Sequence, residues 1–234
     1  MSKHIGIVGC SAEGAALCYR TVCLESERIL GRHAHPEVTM HTISLAEYMK
    51  YIEPDTDWNG VAELILRSAD ALSRAGAEFL ICPDNTIHAA MEYVLPRAPL
   101  PWLGIAQQVG QEAKRRGFSK LGLTGTRFLV ESEVYPEKLE PMDIRCLRPT
   151  EEQCERINDI IFNELVRDVR RLESLFYFQQ VIEQFKNRGC DAVVLGCTEI
   201  PLLLTEEDSP LPTLDSTRIL ARAALQYSIS DGRS

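Results

Sequence analysis

A cysteine near the end of the chain stands where acid–base or nucleophilic chemistry is feasible. The segment 195–201 reads Leu-Gly-Cys-Thr-Glu-Ile-Pro, so Cys197 lies just past an apolar run, where the chain turns. Gly196 allows another group to approach the backbone closely, and backbone amides beyond a strand can hold an anion or favour a thiolate. A thiol in this place can act as a base or a nucleophile, although most cysteines are small buried apolar residues.

A second polar segment follows another apolar run in the first half of the chain. Residues 82–88 read Cys-Pro-Asp-Asn-Thr-Ile-His. Asn85 and Thr86 carry hydrogen-bond donors that suit a carboxylate ligand. Asp84 and Cys82 both carry groups that can exchange a proton. This segment is therefore the second candidate for chemistry, with two candidates for the reacting group.

Both segments require a scaffold that presents the ends of strands. Four short apolar runs, each followed by Gly, Pro or polar residues, are typical of buried parallel strands: 5–8, 79–81, 121–123 and 192–195. A further strand is predicted over 38–44, leading into a helix or a lid-like loop. Helical stretches are predicted over 61–75, 107–116 and 151–188. This alternation of strands and helices predicts an α/β protein.

A weak internal repeat suggests how the scaffold is organised. Gly6 and its strand align with Gly122, and the strand led by Gly76 aligns with the one led by Gly189. We therefore expect two pseudo-symmetric half-domains, each a mostly parallel sheet flanked by helices, with the active site in the cleft between them. The first half-domain is expected to hold residues 1–103 and a C-terminal segment from about 213 to 234. The second is expected to hold residues 104–212.

The same alignment favours Asp84 over Cys82 as the reacting group. Asp84 and Cys197 each lie eight residues beyond the glycine that leads their strand, whereas Cys82 aligns with Leu195. Residues two apart on a strand share a face but are separated by roughly 6.6 Å along its axis. That displacement is large for a catalytic thiol, so we expect Asp84 to face the substrate, with Cys82 as the alternative.

Composition and charge exclude several classes of partner. The 234 residues are 45% hydrophobic, and the formal charge of -9 is dispersed along the chain, which gives no electrostatic footprint for nucleic acid or an anionic membrane surface. No apolar run is long enough to span a bilayer, and the N-terminus lacks a secretory pattern. We expect a cytoplasmic protein with reduced thiols. The eight cysteines form no pair with zinc-site spacing, so no metal is expected.

Several motifs in order resemble those of the aspartate/glutamate racemase family. Residues 83–88 resemble the first signature of that family, and residues 196–201 resemble the second. Residues 5–9, 123–126 and 214–217 are similar to further segments of it. The resemblance extends from near residue 5 to about residue 225, which is nearly the whole chain.

The resemblance implies racemisation of aspartate, glutamate or a related amino acid without pyridoxal phosphate, another cofactor or a metal. In the family two opposed residues, usually both cysteines, flank the α-carbon, and one removes the proton while the other returns it. Cys197 matches one of these positions. The resemblance also implies a homodimer and a set of donors that bind the carboxylate of the substrate: Ser11, Asn85, Thr86, Thr126 and Thr198.

The chain departs from the family pattern at the other position. A cysteine usually precedes the Asn-Thr pair, and here that residue is Asp84. Unperturbed carboxylic acids and thiols have pKa values of about 3.9 and about 8.5, so Asp84 is expected to be charged while Cys197 is protonated. Burial or a facing thiolate would have to raise the pKa of Asp84 before it could donate a proton. The pair therefore predicts unequal turnover of the two enantiomers.

Two other functions and two residue roles stay open at this point. The same scaffold with Cys197 alone suits a lyase or a cis-trans isomerase of a small dicarboxylate. Loss of the first cysteine is also compatible with a non-catalytic ligand-binding protein. His88 has two interpretations, orientation of the Asp84 turn or a buried histidine at a helix start. Glu199 also has two, recognition of the substrate amine or stabilisation of a helix N-terminus.

Overall fold

The computed structural model describes residues 2–230, and these fall into two compact units. The first unit runs from the start of the described chain to Ile105 and resumes at Thr217, while the second is Ala106–Ser216. Each unit has a four-stranded sheet in which all paired strands are parallel. Two parallel sheets flanked by helices confirm the predicted α/β class.

The sheet of the first unit has the strand order β2-β1-β3-β4. Its strands are β1 (Ile5–Gly9), β2 (Val38–Thr42), β3 (Phe79–Ile81) and β4 (Trp102–Leu103). Its helices are α1 (Ala12–Leu30), α2 (Leu45–Ile52), α3 (Trp58–Arg74) and α4 (Met91–Val94), with 3₁₀ turns at Thr86–Ala90 and Leu95–Arg97. The segment after β2 therefore forms the helix α2.

The sheet of the second unit has the matching order β6-β5-β7-β8. Its strands are β5 (Lys120–Thr124), β6 (Arg145–Leu147), β7 (Ala192–Leu195) and β8 (Thr213–Asp215). The remaining helices are α5 (Ile105–Arg115), α6 (Arg127–Val130), α7 (Pro136–Leu139), α8 (Glu151–Asn163), α9 (Leu172–Asn187), α10 (Ile200–Leu203) and α11 (Ser216–Ile229), with 3₁₀ turns at Glu140–Met142 and Leu165–Arg167.

The central strands of both sheets are apolar because they are buried. All residues of β1, β3 and β7 are buried, which explains why each reads as an uninterrupted run of apolar residues and glycine. In the first unit β1 and β3 pack in one apolar cluster with residues of α1 and α11, including Val22 and Leu220. In the second unit β7 packs with α8 and α9. These cores hold the ends of the central strands in place.

The prediction of one continuous helical stretch over residues 151–188 is wrong. The stretch forms the separate helices α8 and α9, and Asp168 between them has a left-handed backbone with φ of 57°. Both helices place apolar residues in one core cluster, including Ile161 from α8 and Phe178 from α9. Two shorter helices can both cover that core, whereas one straight helix would extend past it. The sequence pattern misses the break because each half keeps helical periodicity.

The strand β8 belongs to a different unit from the one expected. The sequence groups residues from about 213 with the first half-domain, but β8 pairs with β7 along Val193–Thr213, Val194–Leu214 and Leu195–Asp215. The second unit therefore continues through Ser216, and the first resumes at Thr217. The cause is the hydrogen-bonding edge of β7, with which Thr213–Asp215 pair as the fourth strand of the sheet.

The registers of the two sheets agree with the internal repeat. Strand β1 pairs with β3 so that Ile7 stands beside Ile81, and β5 pairs with β7 so that Leu123 stands beside Val194. The repeat equates Ile7 with Leu123 and Ile81 with Val194. Consequently the third residue beyond Ile81 and the third beyond Val194, Asp84 and Cys197, occupy equivalent places in their own units.

None of the helices within residues 2–230 combines the length and the apolar character that a bilayer span requires. The eight cysteines all lie within these residues, and no two of them form a disulfide. No group of three or more His, Cys, Asp or Glu side chains in the same range is arranged to hold a metal ion.

Candidate functional site

The predicted residues of the first unit lie at the carboxyl ends of β1 and β3. Because these strands are adjacent and parallel, their carboxyl ends meet at one edge of the sheet. Ser11 follows β1, and Asp84, Asn85 and Thr86 follow β3. We call these four residues the β1/β3 cluster.

The carboxylate of Asp84 is fixed by the turn that it begins. Asp84 is partly exposed, and its Oδ1 accepts a hydrogen bond from the backbone amide of Ile87 at 3.2 Å. Its backbone carbonyl accepts a second hydrogen bond from Nδ1 of His88 at 2.6 Å. Asn85, the next residue, is only 2% exposed. Asp84 is thus held at the start of a 3₁₀ turn while part of its surface reaches solvent.

The hydrogen bonds of His88 determine its tautomer. Its Nδ1 faces the carbonyl of Asp84 and must donate, while its Nε2 accepts from the backbone amide of Ile105 at 3.4 Å. The ring is therefore neutral with its proton on Nδ1. Burial lowers the pKa of His88 to about 4, and the hydrogen bond to Asp84 opposes that shift. Of the two interpretations of His88, the contacts favour orientation of the Asp84 turn.

We expect His88→Gln to make the free energy of unfolding depend less on pH on the acid side of neutrality. The unfolded chain binds a proton on this residue below about pH 6.5, whereas the folded chain does so only near the lowered pKa of about 4. The free energy of unfolding therefore falls as the pH drops between these values, by up to about 3 kcal/mol from this residue. Urea unfolding from pH 4 to 8 measures the difference; identical slopes in the wild type and the variant would contradict the assignment.

Cys82 lies deeper than Asp84 and is chemically less suited to proton transfer. It is 1% exposed, and burial raises the pKa of its thiol well above the ordinary value, with the charge of Asp84 adding to the shift. A thiol in this environment stays protonated and is shielded from solvent. These properties support Asp84 as the reacting group of the β1/β3 cluster.

The predicted residues of the second unit occupy the equivalent edge of the other sheet. Thr126 follows β5, and Cys197 and Thr198 follow β7, which lies beside β5. We call these three residues and Glu199 the β5/β7 cluster. Gly196 brings the two strand ends together, because its backbone amide donates to the carbonyl of Thr124 at 2.8 Å. A Cβ atom at Gly196 would lie 2.5 Å from that carbonyl oxygen.

The hydroxyl residues after β1 and β5 have the same local role. Ser11 begins α1, and its Oγ accepts from the backbone amide of Gly14 at 3.1 Å. Thr126 begins α6, and its Oγ1 accepts from the backbone amide of Leu129 at 3.3 Å. These N-cap bonds position each hydroxyl oxygen. A hydroxyl that accepts one hydrogen bond can also donate its own proton, so the caps are compatible with ligand binding.

Cys197 and Glu199 form a side-chain contact that no sequence motif predicts. The thiol of Cys197 donates to Oε2 of Glu199 over an Sγ–Oε2 distance of 2.9 Å, and the hydroxyl of Thr198 donates to the same oxygen at 2.7 Å. Thr198 and Glu199 are each 4% exposed, while Cys197 is partly exposed. The only sequence feature that indicates this contact is the spacing of Cys197 and Glu199, which are two residues apart in a turn.

Two solved structures resemble this chain over nearly its full length. A proposed Asp/Glu racemase from Yersinia pestis is 30% identical with a TM-score of 0.88, and the match covers 97% of this chain and 100% of that one. An aspartate racemase homologue from Pyrococcus horikoshii OT3 is 28% identical with a TM-score of 0.84, and the match covers 98% and 100% of the two chains.

Sequence comparisons agree with this structural similarity. The chain is 21% identical over 175 residues to the broad-specificity amino-acid racemase RacX of Bacillus subtilis strain 168, and the match covers 75% of each protein. The pattern of the Asp/Glu/hydantoin racemase family matches residues 7–224, which include both clusters. The chain therefore belongs to the Asp/Glu/hydantoin racemase family.

Proposed function

We propose that the chain racemises an acidic or related amino acid at its α-carbon, without pyridoxal phosphate. The observation that carries this proposal is the equivalence of Asp84 and Cys197, which lie three residues beyond the matched strand positions Ile81 and Val194. Family membership supports the reaction class. The homodimer that the family resemblance implies stays a prediction.

The proposed mechanism needs two proton-transfer groups and a set of donors. The Asp84 carboxylate removes the α-proton, and the electron pair left on carbon is delocalised into the substrate carboxylate. The thiol of Cys197 then donates its proton to the opposite face of that carbon, and the electron pair of its S–H bond stays on sulfur. We assign the binding of the substrate carboxylate, and the stabilisation of the charge that develops there, to Ser11, Asn85, Thr86, Thr126 and Thr198.

The two directions of this reaction start from different protonation states. One enantiomer presents its α-proton to a carboxylate that is ready to accept it. The other requires a thiolate at Cys197 and a protonated Asp84, and each form is uncommon for an unperturbed group near neutral pH. Because two enantiomers have the same free energy in solution, kcat/KM is equal in both directions. The two enantiomers therefore differ in kcat and in KM by the same factor.

Incubation with single enantiomers in heavy water tests this function. We expect loss of the α-proton signal in the NMR spectrum of an acidic amino acid, with different rates for saturating L and D forms and with formation of the opposite enantiomer. Equal saturating rates for both forms would contradict the asymmetry. Release of carbon dioxide from a dicarboxylate would indicate a lyase, isomerisation of an unsaturated diacid would indicate an isomerase, and binding without exchange would indicate a non-catalytic protein.

A further inference from the structure

Glu199 is a buried acidic residue whose carboxylate accepts hydrogen bonds from its two preceding neighbours. Its Oε2 accepts from the thiol of Cys197 at 2.9 Å and from the hydroxyl of Thr198 at 2.7 Å. With 4% exposure it has little access to water. Buried acidic groups are usually paired with a cation or hydrogen-bonded several times, so this arrangement calls for an explanation beyond packing.

The two roles considered from the sequence do not account for Glu199. It precedes the short helix α10, but its side chain makes no capping hydrogen bond to that helix. Within residues 2–230, no lysine, arginine or histidine forms an ion pair with its carboxylate. Recognition of a substrate amine would require a carboxylate that reaches solvent, and Glu199 is only 4% exposed.

We infer that Glu199 is a positioning residue that keeps the proton on Cys197. The resting protein then presents a thiol donor in the β5/β7 cluster and a carboxylate acceptor, Asp84, in the β1/β3 cluster. The use of that proton rests on the proposed racemisation, whereas the control of the thiol by Glu199 does not. Glu199 thereby makes Cys197 the proton donor of the resting protein, and Asp84 the proton acceptor.

The physical basis is the charge beside the sulfur. A carboxylate that accepts an S–H hydrogen bond stabilises the thiol, whereas a thiolate in the same place would put two negative charges close together. The hydrogen bond from Thr198 keeps Oε2 pointed at the sulfur. After Cys197 has given its proton to carbon, the sulfur keeps the electron pair. The thiol is restored by a proton from solvent, and Asp84 releases to solvent the proton that it took from the substrate.

Alkylation of Cys197 tests this inference without any need for a substrate. Glu199→Gln keeps an oxygen that can accept the hydrogen bond but removes the charge. We expect the variant to lower the pKa of the Cys197 thiol, because the negative charge beside the sulfur is removed. Alkylation by iodoacetamide at pH 7.5 should then be faster by about tenfold or more, since the thiolate is the reactive form. Glu207→Gln makes the same change at an exposed residue of the second unit and should leave the rate unchanged.

Mass spectrometry of the peptide that contains Cys197 isolates its reaction from that of the other cysteines. Burial raises the pKa of five of them, which also slows their alkylation: Cys23, Cys82, Cys146, Cys154 and Cys190. Unchanged or slower alkylation of Cys197 in folded Glu199→Gln would overturn the inference, whether or not the protein racemises anything. Glu199→Asp, which keeps the charge, should remain within about threefold of the wild type.

The wild-type protein alone provides a second test if Glu199→Gln fails to fold. Its alkylation rate at Cys197, followed from pH 6 to 11, should reach its midpoint above the value of about 8.5 for an unperturbed thiol. A midpoint at or below that value would overturn the inference. In folded Glu199→Gln, the exchange rates of the two enantiomers at saturation should change in opposite directions. The enantiomer that needs a thiolate at Cys197 should react faster, and the enantiomer that needs the thiol as a proton donor should react more slowly. A merely structural defect would slow both.

Discussion

Cys197→Ser is expected to reduce racemisation by about a thousandfold, within the range that one acid–base group contributes to catalysis. A serine hydroxyl has nearly the size of the thiol and can still donate to Glu199, so the β5/β7 cluster should keep its geometry. Its proton, however, is much less acidic than that of a thiol. The measurement is the rate of formation of the opposite enantiomer, with circular dichroism as a check on folding.

Cys23→Ser is the matched control for that substitution. Cys23 is a partly buried cysteine in the middle of α1, and it belongs to neither cluster. We expect full activity from this variant. If Cys197→Ser kept more than about a tenth of the wild-type rate, against the hundredfold or greater loss expected for an acid–base group, Cys197 would not be a proton-transfer residue.

Asp84→Asn is expected to lower the rate of inversion by about a hundredfold or more, because an amide cannot take up the α-proton near neutral pH. The amide oxygen of asparagine can still accept the hydrogen bond that Ile87 donates to Asp84 at 3.2 Å, so the turn should be kept. Binding of the amino acid, measured by calorimetry, should therefore change far less than turnover. Inversion followed by chiral chromatography gives the rate.

Cys82→Ala separates the two candidates at the end of β3. Alanine is small and apolar, and therefore suits the buried place of Cys82, which is 1% exposed. We expect Cys82→Ala to retain activity and Asp84→Asn to lose it. The reverse pattern would transfer the proton-transfer role to Cys82.

The central strands and the edge strand β2 could be predicted closely from the sequence, while the other edge strands could not. The predicted runs over 79–81 and 192–195 coincide with β3 and β7, because strands buried on both faces must be apolar throughout. The strands β4, β6 and β8 have only two or three residues each, and no apolar run marks them. They form because a neighbouring strand offers unpaired backbone groups, which is a property of the folded sheet.

The sequence by itself determined which residues follow the central strands and how the two halves correspond. The eight-residue spacing from Gly76 to Asp84 and from Gly189 to Cys197 is a property of the chain, and the strand registers agree with it. That spacing is also what distinguishes Asp84 from its neighbour Cys82.

Only the tertiary structure decided what surrounds each of these residues. The neutral state of His88 follows from its burial and from a bond to Ile105, which is distant in sequence. The hydrogen bond between Cys197 and Glu199 depends on the turn after β7, and that turn is shaped by the contact of Gly196 with Thr124. Residue type and spacing determine which groups are available, but hydrogen bonds and burial depend on segments that meet only when the chain folds.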